Sequence, residues 1–198
     1  MVLKTFLVVA LGLLVAACGE RTSGPMSPFK STDISSVDWG RDFHLTDHNG
    51  RPRSLADFRG KVVMLFFGFT HCPDVCPATM ADMARVVDKL GPDGQRVQGL
   101  FITVDPERDT PQVLAKYLAA FHPSFLGLYG DQGATAALAK EFKAFYAAQP
   151  AEEHGHYSVD HSSGVYAFDP RGRLRLLFMG GDRTIDTMAT DVARLLRE

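Results

Sequence analysis

The stretch Lys61 to Phe67 (Lys-Val-Val-Met-Leu-Phe-Phe) constrains the fold of this chain more than any other. Six successive apolar residues leave no polar face, which is the pattern of a strand buried on both sides rather than one that lines a solvated sheet. Strand-like and helix-like segments alternate around it, which argues for an α/β sheet with helices on its faces.

Phe43 to Thr46 reads as a short strand, and His48-Asn49-Gly50-Arg51 as a turn to its partner, an N-terminal hairpin. Apolar spacing through Met80, Met83, Val87 and Leu90 predicts a helix over 77–90, and Val97 to Val104 reads as the next strand. Further helices are predicted over 111–121, 132–145 and 184–196. Ser163–Phe168 and Arg173–Phe178 flank Asp169-Pro170-Arg171-Gly172, a hairpin turn whose glycine can take positive φ. Strand, loop and helix, followed by a terminal hairpin and helix, is a thioredoxin-like order with an N-terminal hairpin extension.

The buried strand delivers the chain to Phe69-Thr-His-Cys-Pro-Asp-Val-Cys-Pro-Ala-Thr-Met80. Pro73 and Pro77 bias Cys72 and Cys76 away from helical backbone, so the helix is expected to start at Pro77 with Cys76 at its cap. A helix N-terminus carries partial positive charge, which lowers thiol pKa and favours the thiolate that binds metal or attacks a disulfide. A purely structural disulfide is the competing reading. Closing about five residues would contribute only roughly 2 kcal/mol, and a chain of this size with 45% apolar residues does not need it.

The N-terminus reads separately from the domain. Lys4 precedes a ten-residue apolar stretch, Phe6 to Val15, too short to span a bilayer and suited to a signal-peptide core. It ends Val15-Ala16-Ala17-Cys18, which resembles the lipobox of bacterial lipoproteins, so Cys18 is expected to carry lipid. Gly19 to Ser36, rich in Ser, Thr, Gly and Pro, reads as a flexible tether reaching roughly 25 Å. The expected division is signal peptide 1–17, acylated cysteine and tether 18–36, and one folded domain 37–198. The expected location is the bacterial cell envelope, membrane-anchored and facing the periplasm or exterior. A net charge of −2 with interspersed signs gives no nucleic-acid footprint.

His161, in Asp160-His161-Ser162-Ser163-Gly164, lies just before the first strand of the terminal hairpin. In a thioredoxin-like topology that loop faces the cysteine loop. Two thiolates and an imidazole would make a soft three-ligand set suited to Cu(I). A lone histidine before a strand is more often a cap or a surface residue, and spacing alone leaves both readings open.

Three motifs in order bring a specific resemblance: Cys72-Pro-Asp-Val-Cys76-Pro77, Val104-Asp105-Pro-Glu-Arg108-Asp109-Thr-Pro111, and Asp160-His161-Ser162-Ser163. Together, from about Asp42 to the C-terminus, they resemble the SCO/SenC family of copper chaperones. The resemblance implies copper, Cu(I) or Cu(II), held by Cys72, Cys76 and His161. It also implies assistance in building the binuclear copper A centre of cytochrome c oxidase subunit II, without enzymatic turnover. Further expected partners are another periplasmic copper chaperone and a thiol reductant, with the protein itself a monomer. Many family members use a membrane-spanning anchor, from which the lipid anchor inferred here departs.

Asp105 comes with the resemblance as a docking or electrostatic candidate, although Asp105-Pro106 also simply ends a strand, and Asp109 can cap the following helix. His71, His154 and His156 read as solvated loop residues against a copper-entry role, and Met80 and Met83 as core residues against a ligand role. The alternative function is a thiol-disulfide oxidoreductase using Cys72 and Cys76 to keep target cysteines reduced, although most such enzymes space their cysteines by two residues. A thiol peroxidase is the weaker third reading, since Thr70 precedes Cys72 but no arginine is identifiable as a peroxide partner.

Overall fold

The computed structural model describes residues 27–149 and 157–198. Ten strands and four α-helices are present among them. The strands are β1 (Thr32–Asp33), β2 (His44–Asp47), β3 (Pro52–Ser54), β4 (Val62–Gly68), β5 (Val97–Thr103), β6 (Leu126–Tyr129), β7 (Tyr146–Ala148), β8 (Val159–His161), β9 (Val165–Phe168) and β10 (Leu174–Phe178). The helices are α1 (Val75–Lys89), α2 (Pro111–Ala119), α3 (Gln132–Glu141) and α4 (Ile185–Leu195). Eight strands form one sheet in the order β1-β10-β9-β4-β5-β6-β2-β3, while β7 and β8 make a separate two-stranded sheet.

The apolar run of β4 sits where its composition requires, between β9 and β5, with all seven residues buried. β5 is parallel to β4 and equally buried, and β6 is parallel to β5. At the margin the pattern changes: β10 buries Leu174, Leu176 and Phe178 and leaves Arg175 and Leu177 only partly covered, the period of two expected of a half-solvated strand. On the helical layer, α1 buries Cys76, Met80 and Met83 among others, and packs against α4.

Both hairpins turn on one device. The Asp47 and Asp169 N–H groups each donate to the carbonyl of the arginine four residues on, Arg51 and Arg173. Their carboxylates accept backbone N–H groups at two and four residues on, from Asn49 and Arg51 and from Arg171 and Arg173. Gly50 and Gly172 supply the positive φ of 78° and 72°.

The sequence expectations shift in three places. Part of the expected 18–36 tether is packed on the domain: Phe29 is buried, the Lys30 and Ser31 N–H groups donate to the Asp191 carboxylate, and β1 pairs with β10. Three backbone anchors to the core outweigh the Ser-rich composition. Helix α1 begins at Val75, with Asp74 at its N-cap, so Cys76 lies within the first turn rather than capping it. Pro77 is tolerated there because the N–H it lacks would have no intrahelical acceptor. α3 ends at Glu141 rather than 145, where Lys143 takes φ 54° and the chain turns into β7. Cys18 and the segment 1–26, with His154 and His156, lie outside the described residues.

Candidate metal centre

β4 ends at Gly68 and the chain turns directly into the cysteine loop, where the Cys72 N–H donates to the Phe69 carbonyl at 3.3 Å. Cys76 then folds back over the strand end, and its N–H donates to Cys72 Sγ at 3.4 Å. The close approach needs glycine at 68, because a Cβ there would lie 2.9 Å from Cys76 Sγ and 2.8 Å from Phe66 and Phe101. Both cysteines are free thiols; Cys72 is half-buried and Cys76 has 0% exposure.

His161 arrives on β8 from the opposite side, with Nε2 3.1 Å from Cys76 Sγ. Its Nδ1 lies 3.0 Å from the Ser162 carbonyl, which accepts the Nδ1 proton and leaves the Nε2 lone pair facing the sulfurs. Phe66 and Phe69 stand edge-on to the imidazole, each with ring centres 5.7 Å away. The donor atoms of Cys72, Cys76 and His161 all lie within 4.8 Å of one another, and they form the cluster of metal-binding side chains found among the described residues.

Burial disfavours charge on two members of the site, Cys76 and His161. Burial pushes the Cys76 thiol up, against a Phe69 N–H bond that pulls it down, and the nearby Cys72 adds to the rise. The lowering expected from the helix N-terminus is thus outweighed by desolvation. Burial likewise pushes His161 down, so at neutral pH it is an uncharged imidazole. Two sulfurs and a neutral imidazole nitrogen with its other nitrogen anchored are a soft donor set that fits copper.

Asp109 does not cap α2; Thr110 does, accepting from the Val113 N–H. The Asp109 carboxylate, 1% exposed, accepts instead from the Thr70 N–H at 3.0 Å and from the Thr70 and Thr103 hydroxyls at 2.6 Å each, clamping the entrance of the cysteine loop. Asp105 follows the end of β5. It is 4% exposed, and its carboxylate accepts from the Tyr157 hydroxyl at 2.6 Å and from Arg108, whose guanidinium stacks 3.6 Å over the Tyr157 ring. It braces the segment leading into β8. His71 lies outside the cluster, 51% exposed and 3.7 Å from Asp109, while Met80 and Met83 are fully buried core residues. Sequence reasoning missed Arg183, whose Nη1 donates to Thr79 Oγ1 at 2.7 Å and the Ser163 carbonyl at 3.0 Å, tying α1 to the histidine side.

Fold and site together define a copper-binding protein of thioredoxin-like architecture. The SCO1/SenC family model matches residues 31–197, and the chain belongs to that family. Mouse SCO2 homolog, a mitochondrial protein, is 43% identical over 155 residues, covering 77% of this chain and 60% of its own length. Bradyrhizobium japonicum ScoI, solved with copper bound, is 37% identical with a TM-score of 0.71 over 78% of this chain and 97% of its own. BsSco, described as having a disulfide switch and as a member of the Sco family of cytochrome c oxidase assembly proteins, is 28% identical with a TM-score of 0.62, covering 80% of this chain and 94% of its own. Copper is the cofactor that these structures and the Cys-Cys-His cluster support.

The match spans about 60% of the length of the mouse and human relatives. These relatives also correct the expected bacterial-envelope location. The mouse, human and yeast proteins are mitochondrial by name and not envelope proteins, and a SCO2-like protein of Rickettsia felis stands beside them.

Proposed function

We propose that this protein is a copper chaperone that binds one copper ion through Cys72, Cys76 and His161 and delivers it to the binuclear copper A centre of cytochrome c oxidase subunit II. The observation that carries the reading is the convergence of two sulfurs and the bare Nε2 within 4.8 Å. Three soft donors hold copper tightly, yet fewer ligands than a closed four-coordinate site leave room for an acceptor's ligand to enter. Cys72 and His161 line an opening together with Pro73, Asp74 and Asp160, so the ion would be reached from this side. The chain from about Phe29 onward is the proposed copper-binding domain, and residues 1–17 the proposed targeting segment.

The direct test loads the reduced protein with Cu(I), mixes two or more equivalents with copper-free, reduced subunit II fragment under a copper-chelating competitor, and then removes one electron per binuclear centre with ferricyanide. Appearance of the copper A absorption with wild-type protein, and its loss with Cys72→Ser, is expected. An acceptor that takes copper from solution but none from this protein contradicts the reading.

The unequal burial of the thiols also favours a coupled thiol-disulfide reading. Half-exposed Cys72 can attack a target disulfide, and buried Cys76, whose N–H already reaches Cys72 Sγ, can resolve the mixed disulfide. Reduction of oxidised subunit II fragment by the copper-free dithiol tests this step, and a rate no faster than that of glutathione contradicts it.

A further inference from the structure

Arg183 reaches both halves of the metal centre from the loop between β10 and α4. Its backbone is a fixed base: the Arg183 N–H donates to the Gly180 carbonyl at 3.2 Å, and Thr184 opens α4 by accepting from the Thr187 N–H. From there the partly covered side chain makes two bonds through one nitrogen. Nη1 donates to Thr79 Oγ1 at 2.7 Å and to the Ser163 carbonyl at 3.0 Å. The two hydrogens of that nitrogen diverge in the guanidinium plane, so the two acceptors are held at a set separation.

Each bond ends beside a copper ligand. Thr79 is fully buried and lies three residues past Cys76 on the same face of α1. Its hydroxyl donates in turn to the carbonyl of Val75, the residue before Cys76, at 2.8 Å. On the other side, Ser163 follows Ser162, whose carbonyl accepts the Nδ1 proton of His161. A continuous chain of hydrogen bonds therefore runs from Val75 through Thr79 and Arg183 to Ser163, and it connects elements whose ligands, Cys76 and His161, stand 3.1 Å apart in space and 85 positions apart in sequence.

We infer that Arg183 is a positioning residue for copper: its guanidinium sets the separation of the Cys76 sulfur and the His161 imidazole by linking the elements that carry them. The inference rests on the reading above in which both side chains hold the ion. Hydrogen bonds from a charged donor are stronger than neutral ones, and a metal ligand has to be held within about 0.5 Å of its working position. A stitch that served only the stability of the fold would make the same bonds. The two roles differ in whether the effect of Arg183 on copper passes through His161.

The test is Arg183→Met in the full chain. Cu(I) affinity, measured by competition with a chromogenic chelator, should fall about 10-fold, the lower end of the range for groups that support a metal ligand. Arg183→Lys, which keeps the charge and enough donors for both bonds, should recover most of that loss. In a His161→Ala background, Arg183→Met should change affinity by about twofold or less, because a residue that acts through the imidazole then has nothing to position. Unchanged affinity in Arg183→Met, or a further loss of about 10-fold on top of His161→Ala, would reduce the arginine to a stitch and overturn the inference. Should Arg183→Met not fold, Thr79→Val removes the other end of the bridge and is judged by the same two comparisons. If the wild-type protein binds no copper, the copper reading fails, and metal-free reduced protein then decides the role of Arg183. The nuclear Overhauser contact between the His161 ring and the Cys76 β-protons should be lost in Arg183→Met, and its persistence would overturn the inference.

Discussion

The two walls of the metal centre are built very differently. The sulfur wall grows out of β4, a strand buried on both faces in the middle of an eight-stranded sheet, and Asp109 clamps its loop to the end of β5. The histidine wall is β8, three residues in a two-stranded sheet beside the main one, with Asp160 exposed and His161 only partly covered. Phe145, itself 62% exposed, holds it through bonds of its N–H to Ser162 Oγ at 2.9 Å and of the Ser162 N–H to its carbonyl at 2.8 Å. The contrast bears on the transfer proposed above: sulfurs fixed by the core would retain the ion, and an imidazole on a lightly held strand would yield first.

The largest effect should come from the fixed wall. Cys72→Ser and Cys76→Ser should each abolish the one-to-one Cu(I) complex in a competitive titration, and a variant that still binds one equivalent would break the comparison. His161→Ala should come next, with affinity lowered at least about 100-fold, beyond the usual effect of an outer partner. Its dithiol equilibrium with glutathione should stay close to wild type. If copper affinity holds while disulfide exchange is lost, the imidazole is not a ligand.

Thr70→Val and Ser162→Ala sharpen the contrast. Removing Thr70 Oγ1 takes one of three side-chain and backbone bonds from a buried carboxylate, so unfolding stability in urea should fall by about 1–3 kcal/mol. Removing Ser162 Oγ frees only the half-exposed Phe145 N–H and should cost about 1 kcal/mol or less. Equal losses would mean that the walls are equally rigid.

The smallest effect at the site should be that of acid. Although burial opposes it, the Arg173 backbone and side-chain N–H bonds hold the Asp169 carboxyl below its ordinary value of 3.8, and the Arg51 N–H does the same for Asp47. Groups lowered in the folded state stabilise it above pH 3.8, and that contribution is lost as pH falls through their folded values. Thermal midpoints between pH 5 and pH 2 should therefore drop less in Asp169→Asn than in wild type, with copper affinity at neutral pH unchanged.

What the sequence revealed follows the same division. β4, the Cys72–Cys76 loop and both hairpin turns were legible because contiguous residues carry each signal: an unbroken apolar run, paired prolines, and Asp and Gly at fixed offsets. β7 and β8 were not, since three-residue strands that pair only with each other have no periodicity to read. His161 was found through motif order rather than spacing, because its contact with Cys76 spans 85 positions. β6 escaped because Leu126–Tyr129 is short and contains Gly127, where a Cβ would meet Leu114 and Leu118. The cap reading of Asp109 failed for a related reason: local sequence suggests a cap, whereas Thr70 claims the carboxylate from 39 residues away.

X-ray absorption at the copper edge on the reduced, Cu(I)-loaded protein tests the central claim most directly. The account predicts two sulfur scatterers and one imidazole nitrogen, with the nitrogen contribution alone lost in His161→Ala. A shell of sulfur only, or a wild-type spectrum that His161→Ala leaves unchanged, would contradict it.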